Sequence, residues 1–67
     1  MDAVSRKGQY AEVQLSRDEL LTLRHCVLEA LEALSAEEFE IWVGVSRTAA
    51  EQILAELKLL TTNSFWE

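Results

Sequence analysis

Two copies of one short pattern divide this chain into helices. Ser16-Arg17-Asp18-Glu19 and Ser35-Ala36-Glu37-Glu38 both read Ser-x-x-Glu. In such a box the serine oxygen accepts from the backbone N–H three residues on. The glutamate in turn accepts from the serine N–H. A third start follows Gly44-Val45-Ser46, where glycine suits the left-handed end of one helix and serine caps the next. These signals predict helices over 17–34, 36–43 and 47–60.

The apolar pattern agrees. Over 17–34, Leu20, Leu23, Val27, Ala30, Leu31 and Leu34 recur at three- and four-residue steps, flanked by Leu21 and Leu28. Asp18, Thr22, His25, Glu29 and Glu32 form the opposite, solvated stripe. Phe39, Trp42 and Val43 share one face of the short second helix. Ala50, Ile53, Leu54, Leu57 and Leu60 line the third. Arg24 falls inside the apolar arc of the first helix, where it must snorkel, pair with an acid or meet a partner chain.

Ahead of the helices, residues 10–15 alternate. Ala11, Val13 and Leu15 face one side, and Glu12 and Gln14 the other, as in a half-buried strand. Residues 1–9 read as a flexible tail. Residues 61–67 read as a second tail, either a loose end or a strand. The expected fold class is therefore mainly α: a short N-terminal strand, then a three-helix domain over 10–60. A lone strand needs a partner for its backbone groups. The C-terminal tail can supply one, or residues 10–15 of two chains can pair in a dimer. The sequence favours the dimer, because a chain of 67 residues has a small core and lacks the usual staples.

Composition narrows the function. Twelve acids against six bases give a net charge of −6, which argues against nucleic acid and anionic membrane as partners. One cysteine and one histidine allow no internal disulfide and no Cys/His metal site, and no cofactor is implied. No apolar run is long enough to cross a bilayer. No export signal precedes the free Cys26, which points to the cytoplasm. No nucleophile–base arrangement is written in the chain, so a non-catalytic role is expected.

Residues 36–58 resemble a helix–turn–helix. The resemblance is carried by Phe39, Gly44, Val45, Ala50 and Ile53, at the core, turn and second-helix positions of that motif. It implies two helices crossing steeply after a short turn and, as one function, DNA-binding regulation. Arg47 and Lys58 are the only bases of the second helix, set against Glu51 and Glu56, whereas a DNA reader needs several phosphate-binding cations.

The candidate site is acidic. Glu29, Glu32, Glu37, Glu38 and Glu40 are the only charges between Arg24 and Arg47, and they gather at the corner between the first two helices. Such a surface suits a basic protein partner, chiefly by speeding association. Ile41 and Leu59 point away from the apolar faces of their helices. With Trp42, Phe65 and Trp66 they form the second candidate surface. The sequence thus implies a small protein-binding module, an adaptor or immunity-like inhibitor, that also forms a homodimer. A DNA-binding regulator and a purely structural oligomerisation module are the alternatives.

Overall fold

A computed structural model describes residues 1–66. Glu67, the last residue of the expected tail, lies outside the described residues. The chain is mainly helical, with an antiparallel hairpin ahead of the helices. Strand β1 (Asp2–Lys7) pairs with β2 (Tyr10–Gln14). Helices α1 (Arg17–Ala33), α2 (Ala36–Val43), α3 (Arg47–Leu60) and the single turn α4 (Asn63–Trp66) follow.

The hairpin corrects the reading of residues 1–9 as a tail. Within this chain the partner of residues 10–14 is the segment just before them, not the C-terminus. Gly8, at φ +62°, opens the two-residue Gly8-Gln9 turn between the strands. A positive φ at the first central residue is what a tight hairpin turn of this length requires, and glycine meets it without strain. A bulge places Val4 between Ala3 and Ser5, which face consecutive residues Val13 and Glu12. Directly opposed residues share a face. Ala3, Arg6, Ala11 and Val13 therefore lie on one side, and Asp2, Ser5, Lys7, Tyr10, Glu12 and Gln14 on the other. The alternation expected over 10–14 is present, but its apolar side is not half-buried: every residue of both strands is exposed.

The helical boundaries follow the capping signals. Both boxes are formed, with Glu19 Nα donating to Ser16 Oγ at 3.1 Å and Glu38 Nα to Ser35 Oγ at 3.2 Å. Gly44 ends α2 in the left-handed region at φ +87°, where a β-carbon is disfavoured. Ser46 caps α3, accepting from Ala49 at 3.1 Å. Residues 63–66, expected as a loose end or strand, form the turn of α4 instead.

α3 packs mainly along α1, with α2 set across its N-terminal end. Leu31, Phe39, Ala50 and Leu54 form the centre, and Val27, Leu28, Ala30 and Leu34 pack around it. Phe39 is the plug, 1% exposed. Four residues expected on core faces are exposed: Leu23, Trp42, Val43 and Ile53. The cause is the missing second layer. An eight-residue helix inserts only one large side chain, and the hairpin does not lie over the helical faces that carry Leu23 and Ile53. The hairpin stands off the body. The radius of gyration is 13.4 Å, against about 11 Å for a compact chain of this length.

Candidate functional site

The four arginines, unlike the exposed Lys7 and Lys58, are each hydrogen-bonded to another group of the chain. Arg47, at the start of α3, reaches back to the end of α1. Its Nη1 donates to the carbonyls of Leu31 at 2.7 Å and Leu34 at 3.3 Å. Those carbonyls are among the groups a helix end leaves without partners, and α1 has no basic residue in its own last turn. Arg47 is thus the cap that α1 lacks, and its charge opposes the negative end of the helix. Its Nε also pairs with Glu51 at 3.2 Å.

Within this chain Arg24 is half-buried and pairs with a hydroxyl in place of an acid. Its Nη1 donates to Thr61 Oγ1 at 3.1 Å. Thr61 is the buried polar residue among the described residues, and its hydroxyl donates to the Leu57 carbonyl at 2.8 Å. Arg17 donates to Asn63 Oδ1 at 2.7 Å, and Arg6 to the Gly8 carbonyl at 3.2 Å. These contacts hold α1 to the end of α3 and to α4. Sequence reasoning did not foresee the roles of Arg47 and Thr61, because both contacts join residues far apart in the chain.

The acids face outward. Glu29, Glu32, Glu37, Glu38 and Glu40 are all exposed. Among the described residues, none of them is ion-paired: the ion pairs are Met1 to Glu19 and Arg47 to Glu51. One of the five has a local task. Glu38 Oε1 accepts from Ser35 Nα at 3.0 Å and completes the box of α2. That bond, with the one from the Ser35 hydroxyl, holds the Glu38 carboxyl below its ordinary value. The remaining four carboxylates, on α1 and α2, meet no cation and make no side-chain hydrogen bond among the described residues.

The apolar set is redistributed. Ile41 is 77% exposed, as expected, and so is its neighbour Trp42, which had been counted with the core. Leu59 and Trp66 are also exposed. They do not join Ile41. α2 sits at the N-terminal end of α3, and Leu59 lies about 18 Å further along that helix by its rise. Trp66 is folded back there, its Nε1 donating to the Leu60 carbonyl at 2.7 Å, with the Phe65 ring edge-on at 5.6 Å.

A groove takes their place beside the acidic corner. It lies between α1, α2 and α3 and has a volume of about 210 Å³. Cys26 and Ala30 line it from α1, Phe39 and Val43 from α2, and Val45 and Ile53 complete it. Glu29 is one helical step from Cys26 along α1, while Glu37 and Glu40 line a separate hollow with Ser46 and Arg47. The signal for this groove is present in α2. Phe39, Ile41, Trp42 and Val43 are more apolar side chains than so short a helix can bury against one neighbour.

This arrangement offers binding chemistry. Among the described residues, no group of three His, Cys, Asp or Glu side chains is placed to hold a metal ion. No described helix is long and apolar enough to cross a membrane. No protein-family model, curated protein or solved structure matches the chain.

Proposed function

We propose that this chain is a non-catalytic, cytoplasmic protein-binding module. It receives a basic, amphipathic segment of a partner on the corner formed by α1 and α2, and it self-associates through its hairpin. The observation that carries the docking reading is the asymmetry of charge. The arginines are engaged with carbonyls and hydroxyls of the fold, while Glu29, Glu32, Glu37 and Glu40 are exposed and in no ion pair among the described residues. The groove lined by Cys26, Phe39, Val43 and Ile53, between α1, α2 and α3, supplies the apolar contact. Ile41 and Trp42 are the exposed anchors beside it. A cationic helix gains on-rate from the field and residence time from the groove, and the first gain fades as salt rises.

The test uses a defined probe, a helical peptide of alternating Leu and Lys faces, followed by tryptophan fluorescence. Binding is expected to weaken with salt and with Glu29, Glu32, Glu37 and Glu40 replaced by Gln. A peptide with its Leu residues changed to Ser is expected not to bind. Equal affinity for the wild type and the four-fold variant at low salt overturns the docking reading.

DNA binding through residues 36–58 is the second reading, favoured by the Gly44 turn that joins α2 to α3. Engagement of Arg47 with α1 leaves Lys58 as the free base of α3, so the acidic-corner reading is preferred.

A further inference from the structure

We propose that two copies of this chain join along the free edge of β2, antiparallel about a two-fold axis at Val13. The result is a four-stranded sheet in the order β1-β2-β2-β1. This deepens the self-association stated above by naming its edge and register.

A two-stranded hairpin with nothing on either face is marginal in water. This one has an exposed side that carries Ala3, Ala11 and Val13 beside Arg6, and a free backbone edge along β2. Charge selects a second copy as the partner of its free edge. Within residues 1–15 the side chains of Asp2 and Glu12 balance those of Arg6 and Lys7, so the whole net charge of −6 belongs to the rest of the chain. Two copies repel through their acidic α1–α2 corners and meet without net repulsion at the hairpin.

The two edges of the hairpin are not equivalent. β1 carries the bulge at Val4, which interrupts its ladder and is a common guard against further pairing. β2 carries no bulge, and its outer edge has no strand partner.

Register follows from symmetry and charge. An antiparallel pair about a two-fold axis sets one residue opposite itself. Centring on Glu12 opposes two carboxylates directly, which destabilises the pair. Centring on Ala11 runs the strand ends into the Gly8-Gln9 turns. Centring on Val13 opposes Glu12 to Gln14 and Ala11 to Leu15. It also builds a continuous apolar row, Ala3–Val13–Val13–Ala3, across the joined sheet.

Disulfide trapping tests this, with the exposed Cys26 changed to Ser throughout. Directly opposed α-carbons lie about 4.5–5.5 Å apart, within the span a disulfide bridges. Ala11 and its symmetry mate are offset by four residues, about 13 Å. Val13→Cys is expected to give a crosslinked dimer in a glutathione redox buffer at least about ten-fold faster than Ala11→Cys or Glu12→Cys. Sedimentation of the wild type is expected to show a concentration-dependent dimer, and Val13→Glu a monomer. A wild-type dimer whose fastest crosslink is at residue 11 or 12 overturns the register but keeps self-association. A wild type that stays at 7.6 kDa at high micromolar concentration overturns both. Neither outcome bears on the acidic corner.

Discussion

Replacing Arg47 by Met keeps most of the side-chain volume and removes the cap on α1. The lost contacts are the 2.7 Å and 3.3 Å hydrogen bonds to Leu31 and Leu34. A hydrogen bond involving a charged group contributes about 1.5–3 kcal/mol. The second bond is long and the Arg47 side chain is 38% exposed, so water can replace part of the loss. The exposed pair with Glu51 adds only about 0.3–0.5 kcal/mol. The expected cost is therefore about 1.5–2 kcal/mol, against a total stability on the order of 3–10 kcal/mol for a chain this size. The corresponding fall in melting temperature is about 6–16 °C. Urea unfolding followed by far-ultraviolet circular dichroism measures it. Arg47→Lys is expected to fall between, since it keeps the charge at the helix end but lacks the reach of the guanidinium. Lys58→Met is the control: it is exposed, and its change is expected to stay within about 0.5 kcal/mol. If Arg47→Met unfolds at the wild-type urea midpoint, Arg47 does not cap α1. The asymmetry between engaged arginines and free carboxylates would then lose its main support.

Other perturbations have expected outcomes too. The lowered pKa of Glu38 stabilises the fold above the ordinary carboxylate range, and that contribution is lost as pH falls through it. Acid titration of stability is therefore expected to be less steep in Glu38→Gln than in the wild type, and equal slopes would contradict the box. Gly8→Ala forces a β-carbon into the left-handed region and is expected to destabilise the hairpin by about 1–2 kcal/mol. Amide hydrogen exchange of residues 3–14 reads that change directly. Thr61→Val leaves the Arg24 guanidinium without its partner and is expected to cost about 1–3 kcal/mol, with Thr61→Ser restoring most of it in the same unfolding assay.

What was legible in the sequence was local. Each helix boundary is set by a cap within four residues of it, so Ser16, Ser35, Gly44 and Ser46 place the helices to within a residue. The first strand was illegible for an equally local reason. The bulge sets the apolar Ala3 and Val4 side by side, which destroys the period-two pattern that marks a strand. Gly-Gln is also a quieter turn signal than Asn-Gly. The errors over Trp42 and Ile53 are of another kind. Helical periodicity says which face a residue shares, but not whether another element arrives to cover it. The same applies to Arg47, whose partners lie 13 and 16 residues earlier in the chain. The five acids of the corner were legible because exposure is the ordinary fate of glutamate. That Glu38 is engaged in capping was already implied by its spacing from Ser35.

Chemical-shift mapping of the Leu–Lys peptide onto the nitrogen-15-labelled chain tests the docking account most directly. The expected result is that perturbed amides fall within residues 26–45 and around Ile53, on the acidic corner and its groove. The strands Asp2–Lys7 and Tyr10–Gln14 are expected to stay unchanged. Perturbations confined to the hairpin or to the Leu59–Trp66 end of α3, or none at peptide excess in low salt, would contradict it.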